Sequence, residues 1–476
     1  MIYETVVGLE VHVELSTKTK IFCGCTTQFG GDPNTHVCPI CCGMPGTLPL
    51  LNKEVVDYAI RTGLALNCDI TRKTKFDRKN YFYPDLPKAY QISQLYLPIC
   101  TNGNFEIEIN GRKKQIGIHE IHMEEDAGKL IHDESANHTL IDYNRCGVPL
   151  LEIVTEPDLS SSEEAAVFLE KLRETLMYIN VSDCRMQEGS MRADVNVSVR
   201  PAGSDTLGTR AELKNMSSFK AIRKAIEYES KRQINILVGG GMILQETRRW
   251  DEAKEKSFTM RSKENAQDYR YFPEPNILPV EISEEKINMI KNNMPELPDK
   301  KRERYIKEYG LSEYDSSVIT SERNLAFIFE KSVIICGKPK EVLNMITGEM
   351  MRLISETGQN ADDVKISPEK IASLVNMISE GKINRTVGKE VFEEIFRNDT
   401  DPEKYVTEKG LMMIEDTDLI EKTIKYILEK NQRSVEDIRN GKTKAFGFLV
   451  GESMKALKGK ADPKTVNELL KKLLIK

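Results

Sequence analysis

Nothing in this sequence suggests a secreted or membrane-bound protein. Its first residues, Met1-Ile2-Tyr3-Glu4, carry neither the basic nor the apolar segment of a signal peptide. No apolar run approaches the roughly 18 residues that a spanning helix requires. Short runs such as Ser332–Cys336 are flanked by charges. A cytoplasmic protein without a membrane partner is expected. Excess positive charge is missing too: 68 Lys and Arg stand against 74 Asp and Glu, a formal net charge of −6. A chain that bound RNA over its whole surface would be basic, so any nucleic-acid contact must be local. The common phosphate-binding loops are also absent, since there is no G-x-x-x-x-G-K-S/T and no G-x-G-x-x-G after a strand. A nucleotide would have to be held by strand residues and a metal. There is no G-x-S-x-G elbow and no Ser-Gly-rich nucleophile segment of the amidase kind, so the chain carries no such hydrolytic nucleophile of its own.

The 476 residues are too many for one core, and two to four domains are expected. The fold class reads as α+β. Up to about Met294-Pro295-Glu296-Leu297-Pro298 the sequence is rich in Gly, Pro, Val and Thr and in short alternating segments. Beyond that it turns to Lys, Glu, Leu, Ile and Met at helical spacing. The two prolines mark a linker, and a second break falls near Arg397–Pro402. The division expected is 1–293, 294–401 and 402–476, a mostly antiparallel-sheet domain followed by all-α helical and tail domains.

Alternation with period two defines the strands. From Leu9 to Leu15, Leu9, Val11, Val13 and Leu15 face one way, while Glu10, His12 and Glu14 face the other. From Asp194 to Arg200 three valines share one face, opposite Asp194, Asn196, Ser198 and Arg200. Glu212 and Lys214 flank Leu213 in the same manner. Helices are expected over Glu163–Tyr178 and Ser217–Leu237, the second capped by Ser217 or Ser218 and closed by Gly239-Gly240-Gly241. A polar strand face is ordinarily just wet. Here several strands carry carboxylates, a histidine and an asparagine with few lysines. Glu10, His12, Glu124, Glu125, Glu152, Asp194 and Glu212 would converge if the strands pair. Packed carboxylates repel unless a cation lies among them. Hard oxygen ligands select magnesium or manganese, which points to phosphoryl transfer from a nucleotide.

Five of the ten cysteines crowd into Cys23–Cys42. Cys23-Gly24-Cys25 is a C-x-C, and Cys38-Pro39-Ile40-Cys41 a C-x-x-C. Four thiolates at this spacing fit a closed tetrahedral zinc site, and Cys42 could replace Cys41. A loop of reduced cysteines without metal is the bland alternative. No histidine pattern accompanies a catalytic cysteine. Cys68, Cys100, Cys146, Cys184 and Cys336 are scattered and read as small buried hydrophobes.

Several long motifs, in order along the chain, resemble one family. They are Tyr3–Leu15, Phe76–Gln94, His122–Lys129, Gly189–Ser198, Glu212–Asn215, Gln245–Arg249, Asp268–Pro275, Gly447–Gly451 and Lys458–Ala461. Together they resemble the B subunits of bacterial tRNA-dependent amidotransferases. The resemblance implies a cradle domain similar to the glutamine-synthetase catalytic fold, then helical domains with a tail of the YqeY kind. It implies that ATP phosphorylates the side-chain carboxylate of Glu or Asp esterified to tRNA(Gln) or tRNA(Asn), and that ammonia then displaces phosphate. The partners implied are the mischarged tRNA, an amidase subunit that supplies ammonia, and a small third subunit that completes a heterotrimer. The catalytic residues implied are Glu10, His12, Glu125, Asp194, Asn196 and Glu212. Glu124, Glu152 and Lys214 would help bind the nucleotide. Magnesium would be held by His12, Glu125 and Glu152, and zinc by Cys23, Cys25, Cys38 and Cys41. Lys79 and Lys88 would lie near the ammonia exit. Asn276 departs from the pattern, which has an aspartate after Pro273-Glu274-Pro275.

From Gly441 to Lys476 nine lysines face three acids. A basic end on an acidic chain fits a local phosphate contact. The resemblance implies the tRNA elbow, read by shape. Asn440-Gly441-Lys442-Thr443-Lys444 should be a loop before a helix.

Overall fold

A computed structural model describes residues 2–133, 138–262, 269–414, 416–439, 444–457 and 460–474. The motif residues Asp268, Lys458 and Gly459, the tail lysines Lys442 and Lys476, and most of the loop expected before Lys444 lie outside these. The chain divides into two compact units, Met1–Pro298 and Asp299–Lys476.

The first unit is built on a nine-stranded sheet. Its strands, in chain order, are β1 (Tyr3–Glu14), β2 (Asp69–Ile70), β3 (Cys100–Ile109), β4 (Arg112–Glu125), β5 (Pro149–Thr155), β6 (Met191–Pro201), β7 (Ala211–Lys214), β8 (Glu246–Asp251) and β9 (Lys256–Ser262). They lie in the order β9-β8-β7-β6-β1-β5-β4-β3-β2. All neighbours are antiparallel except β7 and β8, which are parallel. The sheet is therefore mostly antiparallel, as the alternating segments predict. β1 is the middle strand, paired on both sides by β5 and β6, and its alternation is clean. Val7, Leu9, Val11 and Val13 are buried while Glu10, His12 and Glu14 point the other way.

Four helices take part in the core with the apolar face: α1 (Lys53–Ala65), α2 (Ser162–Tyr178), α3 (Phe219–Val238) and α4 (Glu284–Asn292), which adds Ile287 and Ile290. Val55, Ile60, Phe168, Leu172, Leu176, Ile222 and Ile226 join the β1 valines in one cluster. Each fully buried side chain of this size stabilises the fold by about 1.5–3 kcal/mol. Gly63 is needed for this packing, because a Cβ there would lie 2.4 Å from Cys100 Sγ. Ser161 caps α2, and Ser218 caps α3 by accepting from the Ala221 amide. Gly239 closes α3, and Gly240 turns the chain with φ of 77°. With helices on one face, the other is free to carry chemistry. A small sheet of Asp77–Asn80, Tyr90–Ser93 and Phe272–Pro273 brings Lys79 opposite Gln91.

The second unit is helical throughout its described residues, from Pro298–Tyr309 to Pro463–Leu474. The last helices, Thr417–Lys430, Gln432–Arg439, Lys444–Ala456 and Pro463–Leu474, share a small core of Ile420, Ile424, Leu449, Val466 and Leu470. Of the scattered cysteines, Cys68, Cys100, Cys146 and Cys184 are buried and Cys336 is half-buried at a helix end.

Candidate functional site

Register decides which polar residues meet. Antiparallel partners share a face, so the pairing of Glu10 with Asp194, of Asn196 with Glu212, and of His12 with Glu152 lays them side by side. Glu152 in turn pairs with His122 on β4. Two groups of ligand atoms result. His12, Glu124 and Glu152 form one, and Glu10, Asp194 and Glu212 the other, with the atoms of each within 4.8 Å of one another. His12 Nε2 lies 3.4 Å from Glu152 Oε2 and 3.7 Å from Glu124 Oε1.

The electrostatics of the first group are those of crowded acids held by imidazoles. Burial alone would push the His12 pKa down, but Glu152, Glu124 and Asp194 outweigh it and hold the group near 9. Glu152 is kept well below the usual carboxylate range: burial opposes this, and His122 and His12 overcome it. Glu124 is raised by burial and by Glu152. In the second group Glu10 is raised by burial, Glu152 and Glu212, while the Asn196 amide donates to Glu10 Oε1 at 2.8 Å. Lys214 binds Asp194 and lies 2.9 Å from Glu212. Thr247 Oγ1 donates to Glu212 Oε2 at 3.0 Å.

Glu125 does not join His12 and Glu152. Neighbours on a strand point to opposite faces, so Glu124 goes to the histidines and Glu125 turns toward the other side. There it binds the Lys88 ammonium and accepts the Ile92 amide at 2.9 Å. The trio that the structure assembles is His12, Glu124 and Glu152. Lys79 lies on the same side as that trio: Glu124 and Glu152 raise its pKa against the effect of burial, and its ammonium sits over the ring of Tyr269 at 5.0 Å. His122 is not among the site residues expected from the sequence. Its Nε2 is 2.8 Å from Glu152 Oε2, and its place two residues before Glu124 on one strand was the available signal.

Cys23, Cys25, Cys38 and Cys41 come together with their sulfurs within 4.8 Å of one another, and Cys42 is left out. Cys41 is held well below the ordinary thiol value by a hydrogen bond from Cys23, against burial, with the Cys38 amide and Lys20 assisting. Lys20 is fully buried, 3.7 Å from Cys41 Sγ, and donates to the His36 carbonyl at 2.7 Å. A buried ammonium beside four thiols fits thiolate ligands of a soft cation. Cys23 and Cys41 of this cluster and the Lys88–Glu125 pair line a common cavity of about 210 Å³, with Arg78, Tyr90 and Asn276.

The oxygen-rich face also fits hard cations and an anionic ligand. Two buried acceptors there, Glu14 Oε1 and Asn196 Oδ1, have no hydrogen-bond partner. A cavity of about 850 Å³ opens beside Asp194, bordered by Glu14, Arg145, Arg192 and Trp250 among others. No helix among the described residues is long and apolar enough to cross a membrane.

Comparisons with known proteins agree along the whole chain. Residues 5–288 match the family described as the GatB/GatE catalytic domain, and residues 328–474 that described as the GatB domain. The chain is 62% identical over 475 residues to the B subunit of the aspartyl/glutamyl-tRNA(Asn/Gln) amidotransferase of Lachnoclostridium phytofermentans, covering 100% of this chain and 99% of that one. It is 57% identical to the protein of the same name from Caldicellulosiruptor saccharolyticus over 479 residues, covering 100% of both. The identity to that of a Thermoanaerobacter species is also 57%, over 476 residues and 100% of both.

Proposed function

The chain belongs to the family of aspartyl/glutamyl-tRNA(Asn/Gln) amidotransferase B subunits, and from that premise we propose how its sheet performs the reaction. It is part of a glutamine-hydrolysing, tRNA-dependent ligase. This subunit phosphorylates the mischarged side chain with ATP and lets channelled ammonia replace the phosphate, yielding Gln-tRNA(Gln) or Asn-tRNA(Asn).

A carboxylate resists ammonia because its leaving group would be oxide. Transfer of the γ-phosphoryl group forms a bond from a carboxylate oxygen to phosphorus and breaks the bridge to ADP. Ammonia then bonds to the carbonyl carbon, and the C–O bond breaks. Phosphate leaves with the proton that the new amide sheds. Magnesium bound by His12, Glu124 and Glu152, and at Glu10, Asp194 and Glu212, would neutralise the phosphate oxygens. His122 orients Glu152, and Asn196 orients Glu10. Lys214 compensates Asp194 and Glu212. The observation that carries this reading is that Glu10 and His12, two residues apart on one strand face, each seed a group of hard ligands.

The remaining assignments rest on this frame. Lys88 and Glu125, with Lys79 nearer the trio, mark the path of ammonia. A zinc ion closes the four-cysteine loop. The partners are an amidase subunit, which releases ammonia from glutamine, plus a small third subunit in a cytoplasmic heterotrimer. Residues 1–293 are the catalytic cradle, 294–401 a helical domain, and 402–476 the tail that holds tRNA. The tail reading is supported by its lysines, by the half-exposed Phe448, and by Gly447 and Gly451. These glycines lie one turn apart inside the helix Lys444–Ala456, where an added Cβ would meet nothing.

The test is ATP turnover by the complex assembled with its amidase and small subunits, in magnesium with glutamine. Glu-tRNA(Gln) is compared with free glutamate and with deacylated tRNA. Turnover that requires the mischarged tRNA and yields Gln-tRNA(Gln) is expected. Equal turnover with free glutamate would overturn the tRNA-dependent reading.

A further inference from the structure

The oxygen-rich face has a surplus of acids, yet phosphoryl transfer builds further negative charge there. Cations on or beside this face therefore matter, and several are already committed, while Lys129 and Arg249 border the large cavity. Lys214 is bound between Asp194 and Glu212. Lys88 belongs to Glu125 on the opposite side. Lys79 sits between the Tyr81 and Tyr269 rings. Arg145 donates to the carbonyls of Ala127 at 3.0 Å and Gly128 at 2.9 Å, which fixes the turn after β4.

Arg192 is differently placed. It is the β6 register partner of His12 and lies two residues before Asp194, so it stands on the same face beside both ligand groups. It gives one N–H to Asp126 Oδ2 at 2.8 Å. A guanidinium carries five N–H donors in a planar fork, so most of its capacity is left over. Its side chain is one-third exposed, and the exposure is to the large cavity that Asp194 also borders. Asp126 thus holds one edge of the fork, Glu14 and Glu124 lie near enough to favour its charge, and its exposed part borders the cavity. Planar, multidentate donors at fixed position are what equatorial phosphoryl oxygens require.

We propose that Arg192 is a catalytic residue that donates to the oxygens of the phosphoryl group in transit from ATP to the esterified carboxylate, with Asp126 fixing its orientation. The proposal rests on the magnesium–nucleotide reading above. It predicts that Arg192 distinguishes a nucleoside triphosphate from a diphosphate. It also distinguishes chemistry from binding, because these contacts strengthen as charge moves onto the transferred group.

The experiment uses the complete complex carrying Arg192→Met or Arg192→Lys. Calorimetry in magnesium measures binding of ADP and of a non-hydrolysable ATP analogue. A single turnover with Glu-tRNA(Gln), without glutamine, measures phosphoryl transfer. Arg192→Met is expected to weaken the ATP analogue about 10-fold while ADP stays within about twofold, and to slow transfer about 100-fold or more. Arg192→Lys, which keeps the charge but loses the fork, should fall between. The melting temperature should stay near that of the wild type, since Asp126 keeps Arg145 at 3.4 Å. Equal loss for both nucleotides together with a fall in melting temperature would show a merely structural Arg192 and overturn the proposal. Unchanged transfer would overturn it as well. A wild-type complex that binds neither nucleotide would overturn the nucleotide reading itself, and this proposal with it.

Discussion

The molecule assembles two kinds of metal-ready cluster, and they are built in opposite ways. The thiol cluster is local: four sulfurs come from one loop between Cys23 and Cys41, with a buried lysine against them. The His12–Glu124–Glu152 cluster is assembled from three strands far apart in sequence, and the sheet fixes each member. Four thiols complete a tetrahedron and leave no place for a substrate. One imidazole and two carboxylates leave a hard cation several open positions. A metal on the loop would tie its two cysteine pairs together, adding to hydrogen bonds such as that from the His36 amide to Asn144 Oδ1 at 2.8 Å. A strand face keeps its shape without one, so a metal there is free to serve the reaction.

That contrast breaks most visibly at Glu152. Glu152→Gln removes a ligand but keeps the shape and the register. It should lower tRNA-dependent ATP turnover about 1000-fold, roughly 4 kcal/mol at the transition state. The melting temperature should fall only modestly: the glutamine carbonyl still accepts from His122, although the ionic attraction by which His122 and His12 hold Glu152 well below the usual carboxylate range is lost. Turnover and melting measured on the same preparation decide the matter. A collapse in melting with turnover per folded molecule intact would show that the strand cluster is structural and abolish the distinction.

The two constructions also explain what could be read from the sequence. The cysteine cluster was legible because C-x-C and C-x-x-C lie close together, and the structure selects Cys41 over Cys42. The two faces of β1 and β6 were legible from period-two alternation of Leu9, Val11, Val13, Leu15 and the β6 valines. The choice between Glu124 and Glu125 was not. Adjacent acids look equivalent in sequence, and their separation depends on the phase in which β4 joins β5, with a register shift near Val154. Pairing of His12 with Arg192 and with Glu152 is likewise a property of register between distant segments. The resemblance supplied the reaction and most of the residues. It did not single out His122 or Arg192, whose place depends on the neighbours they meet across the sheet.

The loop cluster should answer to the opposite perturbation. Cys41→Ser, or removal of zinc by a strong chelator, should lower the melting temperature by about 5 °C, equivalent to roughly 2 kcal/mol. Turnover per folded molecule should change little at low temperature. Metal content and melting are read together. A variant that loses its zinc without any change in melting would show that the loop holds its own shape, and the contrast with the strand face would fail.

The smallest effect is expected where the two regions come closest, at Glu125. The residue is next to Glu124 in sequence but shares a cavity with Lys88 and the cysteine loop. If Glu124 serves the metal and Glu125 serves ammonia, their glutamine variants should fail in different ways. Glu124→Gln should abolish phosphoryl transfer whatever the nitrogen source. Glu125→Gln leaves Lys88 without its carboxylate in a largely buried place. It should slow glutamine-dependent amidation about 10-fold, roughly 1.4 kcal/mol. With ammonium chloride supplied directly, amidation should return to within about twofold of the wild type, and magnesium affinity should not change. Both activities are measured on one complex by following Gln-tRNA(Gln). Rescue by ammonium assigns Glu125 to the delivery of nitrogen. Failure of rescue together with weakened magnesium binding would return Glu125 to the metal, and would mean that β4 enters the working sheet in the other phase.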